Sequence, residues 1–121
     1  MGPIIQVAIG GALGAVLRYV TGMAALRIFG AAFPVGTLAV NVVGSFLMGF
    51  LFVALAGGRM SPLLLTGLLG GFTTFSAFSL DAVALWERGD VAMAGIYVAA
   101  SVGLSIGALI AGLYIARTVL G

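Results

Sequence analysis

The chain has 121 residues, 63% of them hydrophobic and only 7% charged, with a formal net charge of +2. A soluble domain carries about 25% charged residues, so a water-facing surface is excluded, and the mean hydropathy of +1.32 points to lipid as the solvent. Cysteine and histidine are both absent, which excludes a disulfide framework, a thiol nucleophile and a zinc cluster.

A membrane-spanning helix needs roughly 20 apolar residues. Four such spans with short loops fill the sequence, so the expected fold class is an all-α integral membrane protein. The spans are expected at about residues 4–27, 34–56, 62–87 and 91–117, within a single four-span membrane domain covering 1–121. The N-terminus lacks the basic stretch of a signal peptide, so the first apolar run reads as a retained helix. That helix ends near Arg27, with Gly30 as its stop. The second begins after Phe33-Pro34, where proline suits a first turn, and ends at Gly57-Gly58. The third opens with Ser61 as N-cap and Pro62 at the first helical position. It closes near Trp86-Glu87, with Gly89 as C-cap, and Trp86 sits where an interfacial aromatic belt would lie. Asp90 reads as the N-cap of the fourth.

Glycine pairs at i, i+4 recur: Gly10 with Gly14, Gly67 with Gly71, Gly103 with Gly107. Lipid supplies no hydrophobic drive between helices, so small residues work by permitting close backbone approach. The pairs serve packing either within one bundle or between subunits. The charges are oddly distributed. With four spans, Arg59 and Arg117 fall on one side and Arg27 and Arg88 on the other, so the positive-inside rule gives a tie. Arg18, inside the first span, tips it only slightly. The tie predicts dual topology, with chains inserted both ways and paired antiparallel.

The third span carries the least helix-like stretch, Gly70-Gly71-Phe72-Thr73-Thr74-Phe75-Ser76-Ala77-Phe78-Ser79. Two glycines followed by two β-branched residues make a weak helix interior. Two readings stand. The backbone breaks here, which at membrane depth is tolerated only where it is buried in protein or lines a cavity, or the helix continues and its hydroxyls bond back to the preceding turn. Phe75 and Phe78 share one helix face, and the positive edge of a phenyl ring attracts an anion without trapping it as a cation would; plain packing is the alternative. Asn41 and Ser45 stand one turn apart in the second span, and Tyr97, Ser101 and Ser105 form a polar stripe on the fourth. Hydroxyl and amide donors suit replacement of an anion's water shell, or else serve as interhelical hydrogen-bond glue. A charge at the bilayer centre costs about 2.5–3.5 kcal/mol on insertion scales, yet Arg18 and Asp81 both lie within spans, nearer the same side. They either share a vestibule or pair with each other, and Arg18 also suits drawing anions toward a pore mouth.

Gly10-Gly11 through Gly14-Ala15 to Arg18-Tyr19, then Gly36-Thr37-Leu38-Ala39-Val40-Asn41-Val42-Val43-Gly44-Ser45-Phe46, then Gly70 through Phe78, resemble the Fluc (CrcB-type) fluoride channels in order along essentially the whole chain. Asn-x-x-Gly-Ser and Gly-Gly-x-Thr-Thr-Phe-Ser are specific together and weak singly. The resemblance implies a passive fluoride-selective channel, not an enzyme, that exports cytoplasmic fluoride and confers fluoride resistance. It implies an antiparallel dual-topology homodimer with two pores in a bacterial cytoplasmic (inner) membrane, the third helix being broken near its middle. Asn41, Phe75 and Phe78 match the family's pore-lining residues, with Ser76 beside them. Tyr97, Ser101 and Ser105 fall on its polar positions in the fourth helix, and Arg18 matches a vestibule arginine. Gly70 and Thr73 match residues whose backbone carbonyls hold a structural Na⁺ at the dimer centre. Ala77 departs from the pattern, standing where the family often has Thr, and loss of that hydroxyl is expected to slow permeation.

A small multidrug-resistance-type transporter has the same size and span count, but that proton-coupled chemistry wants an acid in the first helix, where this chain has Arg18. A non-transporting membrane scaffold would have no use for the polar stripes.

Overall fold

The computed structural model describes residues 2–121, and the described residues are helical, with no strand among them. Four segments are long and apolar enough to cross a membrane: Pro3–Phe29, Val35–Leu55, Pro62–Glu87 and Val91–Leu120. They are named here α1 (Pro3–Phe29), α2 (Val35–Leu55), α3 (Pro62–Leu69 and Gly70–Phe72), α4 (Phe75–Glu87) and α5 (Val91–Leu120), α3 and α4 together making the third span. Large apolar side chains such as Ile4, Leu17, Leu80 and Val119 stand exposed on the outside of the bundle. In water that surface would be a severe liability, whereas in hydrocarbon it is the matched solvent face.

The turns pass through positive-φ backbone, at a glycine after the first helix and at an alanine handing on to a glycine after the second. Gly30 ends α1 at φ 77°. Ala56, at φ 41°, ends α2 and hands over to Gly57 at φ 77°.

Two seams hold the bundle together: α1 against the α3 half of the third span, and α2 against α5. Glycine sets both. A Cβ on Gly10 would strike the Leu63 carbonyl oxygen, and one on Gly14 the Leu68 carbonyl oxygen. A Cβ on Gly71 would also come close, 2.6 Å from the Gly11 carbonyl oxygen. On the other seam Gly49 meets Leu109 and Gly112 meets Phe46, backbone to backbone. Close approach of this kind multiplies dispersion contacts, the main attraction available between helices in lipid. Gly103 and Gly107 behave differently: a Cβ on either would meet open space. Among the described residues nothing packs against these positions.

Some local expectations are corrected. The Ser61 side chain makes no capping bond; Gln6 of α1 supplies the acceptor instead, its Oε1 taking the Leu63 N–H at 3.2 Å. A buried amide one helix away has replaced a local hydroxyl. Asp90 precedes α5 but caps no helix N–H, because its carboxylate bonds Arg88 Nε at 2.8 Å. The first half of the third span, Pro62–Leu69, winds as a π-helix, with Gly70 N–H reaching back to Leu65 O.

Candidate functional site

The third span is interrupted at Thr73 (ψ 158°) and Thr74 (φ −153°, ψ 127°), both in extended backbone. The departure is confined to these two residues, and the segments on either side still run on as one span. An interruption of an α-helix separates carbonyls from the N–H groups four residues on. In lipid each separated group needs another partner, and the protein supplies several from distant helices.

Asn41 of α2 does most of this. Its Oδ1 accepts the Thr74 N–H at 2.7 Å, and its Nδ2 donates to Thr74 O at 2.9 Å. The side-chain amide thus pairs with the extended residue as a neighbouring strand would. Gly44, one turn along α2, makes room: a Cβ there would run into Thr73 Cγ2. Arg18 of α1 donates from Nε to Gly71 O at 3.0 Å. Beyond the break, Thr74 caps α4 by accepting the Ala77 N–H on Oγ1 at 3.2 Å. Both sequence readings of the hydroxyls therefore hold in part, since the helix does break while Thr73 Oγ1 also bonds back to Leu69 O at 2.9 Å.

Beside the break lies a cavity of about 400 Å³. Asn41 and Ser45 line it from α2, Thr73 and Thr74 from the break, Phe75 and Phe78 from α4, and Ser101 and Ser105 from α5. The two phenyl rings are in contact at 5.4 Å between centroids, tilted by 58°. Phe75 is 77% exposed, whereas Phe78 is buried against Tyr97 at 5.3 Å. Among the described residues the buried Ser101 and Ser105 hydroxyls make no hydrogen bond within ordinary distance, the Ser101 side chain lying beside the Tyr97 hydroxyl. An unsatisfied buried hydroxyl costs about 1–3 kcal/mol, so two on one wall of a cavity are a preformed set of donors.

Of the residues singled out in the sequence, Asn41, Phe75, Phe78, Ser101 and Ser105 are brought to this one cavity. Tyr97 is not on its wall; fully buried behind Phe78, it donates its hydroxyl to Asp81 Oδ2 at 3.2 Å. Ser76 is exposed, its hydroxyl 3.3 Å from Thr74 Oγ1 and away from the cavity lining. Arg18 lines a second cavity of about 290 Å³ with Thr37, Thr74 and Ala77. Asp81 lines a third of about 280 Å³, which shares Gly22, Leu26, Gly36 and Thr37 with the second. Arg18 and Asp81 thus border neighbouring cavities without forming an ion pair, because Arg18 is engaged by a backbone carbonyl and Asp81 by a phenol. Thr74, the residue Asn41 grips, is not among the sequence's candidate site residues; its signals are its place in the weak-helix stretch and in the Gly-Gly-x-Thr-Thr-Phe-Ser element.

Gly70 and Thr73 bear on cation binding. In a continuous helix Gly70 O would accept from Thr74 N and Thr73 O from Ala77 N, but those donors are turned to Asn41 Oδ1 and Thr74 Oγ1. Two carbonyls relieved of their helical donors suit a hard, oxygen-seeking cation. No group of three or more His, Cys, Asp or Glu side chains able to hold a metal occurs among the described residues.

The fold and site together define a small four-span membrane protein whose interrupted helix borders a cavity walled by hydroxyls, an amide and phenyl rings. Residues 5–113 match the family model described as CrcB-like protein, Camphor Resistance (CrcB), and the chain belongs to that family. It is 62% identical over 116 residues to a protein of Cereibacter sphaeroides (strain ATCC 17029) named fluoride-specific ion channel FluC, with 94% of each chain covered. Proteins of the same name from Rhizobium johnstonii and Roseobacter denitrificans are 60% and 54% identical, covering 93% and 98% of this chain and 94% and 98% of their own lengths.

Proposed function

We propose that the chain is a fluoride channel that lets cytoplasmic fluoride leave passively through a bacterial cytoplasmic membrane, each chain being half of an antiparallel homodimer with two pores. The observation that carries the reading is the one cavity that brings Ser101 and Ser105, whose hydroxyls are buried, together with Asn41, Phe75 and Phe78. Fluoride is small and binds its water tightly, so a path must offer several hydrogen-bond donors to replace that shell. Ser101, Ser105 and the second N–H of Asn41 Nδ2 are such donors. The phenyl edges carry a weaker positive potential, which favours passage over trapping. A buried lysine or arginine on this wall would hold the anion too firmly to release it, and the guanidinium of Arg18 is kept one cavity away. There it raises the local concentration of anions.

Within this reading Tyr97 supports the path from behind Phe78 and Ser76 contributes a hydroxyl near its exposed end. Gly70 and Thr73 hold a structural Na⁺ through their carbonyls, and that ion supplies positive charge to tie interrupted helices together. Three observations favour the antiparallel pair. The arginines are balanced between the two sides. Phe75 is left uncovered by its own chain at the rim of the cavity, and Gly95, Gly103 and Gly107 of α5 present a small-residue face with nothing against it. A reporter fused to the C-terminus is expected on both sides of the membrane, and finding it on one side alone would reject dual topology.

The decisive test of conduction is flux. Purified protein in vesicles loaded with fluoride is expected to release it when the membrane potential is clamped, as read with a fluoride electrode. Chloride release from matched vesicles is expected to be slower by orders of magnitude. Equal fluxes of the two ions would reject the reading.

A further inference from the structure

The Phe75–Phe78 pair does not end at Phe78. Phe78 meets Tyr97 at 5.3 Å, and Tyr97 meets Phe33 edge-on at 5.4 Å with the rings at 90°. Four rings therefore touch in succession at near-equal spacing, from the cavity beside the break to the cavity that Phe33 borders with Thr37 and Asp81. Tyr97 is enclosed between Phe78 and Phe33, and its hydroxyl reaches Asp81. The rings on its two sides hold the phenol in place while Asp81 takes its hydroxyl.

Phe33 belongs to no helix. It sits in the five-residue loop between α1 and α2, after Gly30, and its carbonyl accepts the Val35 N–H at 2.8 Å in a tight turn. What fixes the loop from outside is Arg88, at the far end of α4. Its Nη2 donates to Ala32 O at 2.8 Å while its Nε bonds Asp90 Oδ2 at 2.8 Å. One guanidinium thereby joins the loop after α1 to the loop after α4. The Arg88–Asp90 pair is about half exposed on both sides, and such solvent-screened pairs contribute little to stability. Stability is a poor reason for the arrangement, whereas orientation is a good one, since a planar fork holds two acceptors in a defined relation.

We infer that Phe33 and Arg88 are positioning residues for the permeation path: Arg88 holds the α1–α2 loop so that the Phe33 ring backs Tyr97, which in turn sets the Tyr97 hydroxyl and the Phe78 ring. This rests on the fluoride-conduction reading. Neither residue touches the cavity beside the break, so both act through Tyr97.

The test is fluoride efflux from vesicles, expressed per incorporated protein. Phe33→Leu keeps the apolar volume but removes the ring, and is expected to slow efflux about two- to tenfold, the range that one lost aromatic pair corresponds to. Phe33→Tyr, which keeps the ring, is expected to restore most of the rate. Arg88→Ala, at an exposed site that the helices do not need for packing, is expected to slow efflux in the same direction, and Arg88→Lys less so. In a Tyr97→Phe background, Phe33→Leu is expected to add less than it does alone, as coupled neighbours do. A purely structural role would lower the yield of folded protein and leave the rate per incorporated protein unchanged. Unchanged per-protein rates in both Phe33→Leu and Arg88→Ala, or full additivity with Tyr97→Phe, overturn the inference while leaving fluoride conduction standing. A wild-type protein that releases no fluoride overturns conduction, and this inference with it.

Discussion

Replacing Asn41 with Asp is expected to abolish most fluoride flux while leaving the chain folded in the membrane. The amide performs two tasks at once, accepting the Thr74 N–H and donating to Thr74 O. Aspartate can still accept the N–H, so the extended backbone at Thr74 keeps one of its two bonds. It cannot donate to Thr74 O, and it sets a negative charge on the wall of a path for an anion. Each 1.36 kcal/mol added to a barrier slows a step tenfold, and one unscreened like charge in a partly buried site adds several times that. A loss of at least about a hundredfold is the expected outcome. Asn41→Leu separates the two tasks. It carries no charge but leaves both Thr74 groups unpaired, each at about 1–3 kcal/mol. Its expected signature is a drop in thermal stability and in assembled protein as well as in flux. The measurement is efflux per incorporated protein together with a melting temperature in detergent. If Asn41→Asp conducts like wild type, Asn41 does not face the path.

That double role shows why some of the site was legible in the sequence and some was not. The spans depend on runs of apolar residues, a local property, and the hydropathy pattern displays them directly. The weak stretch at 70–79 was also local: glycine and β-branched threonine disfavour helix wherever they fall. The agents that hold the break open are not local. Asn41 is 33 positions from Thr74, and Arg18 is 53 positions from Gly71. Composition marks Arg18 as an anion attractor or a partner for Asp81, and nothing along the chain says that its Nε is taken by a carbonyl. The resemblance to the CrcB-type channels names candidate residues, Asn41 among them, yet it does not state that Asn41 is a backbone clamp.

Glycine spacing was informative to a similar depth. Gly10-x-x-x-Gly14 and Gly103-x-x-x-Gly107 look alike as strings. The first pair is pressed against Leu63 and Leu68, and the second faces open space. Spacing shows that a close approach is possible on one helix face, whereas the identity of the approaching surface depends on the assembled fold. The π-helical winding of Pro62–Leu69 was invisible altogether. Its leucines favour an ordinary α-helix, and the wider turn arises where that segment meets Gly10 and Gly14 backbone to backbone. Ser61 and Asp90 mislead for a related reason. Each is a good capping residue, and each is bypassed because a partner from elsewhere, Gln6 or Arg88, occupies the relevant group first.

The two phenylalanines give the second large effect, and their different burial makes the pair a controlled experiment. Phe75→Ile and Phe78→Ile both remove a positively polarised ring edge from the cavity wall while keeping an apolar side chain. Phe75 is 77% exposed within its chain, so its replacement removes little intrachain packing. Phe78 is 7% exposed and touches both Phe75 and Tyr97. Losing it forfeits two aromatic pairs, about 1–3 kcal/mol beyond the change in buried area, and leaves part of a ring-shaped void among Leu85, Ala94 and Tyr97. If the rings act on the ion, both substitutions slow fluoride efflux by about tenfold or more, whatever their effect on stability. If the rings act only as packing, flux tracks stability, with Phe75→Ile close to wild type and Phe78→Ile impaired. The expected result is the first, with equal loss of flux and unequal loss of stability. Efflux per incorporated protein, set against the melting temperature of each variant, distinguishes the two, and a Phe75→Ile protein with undiminished flux excludes the exposed ring from the path.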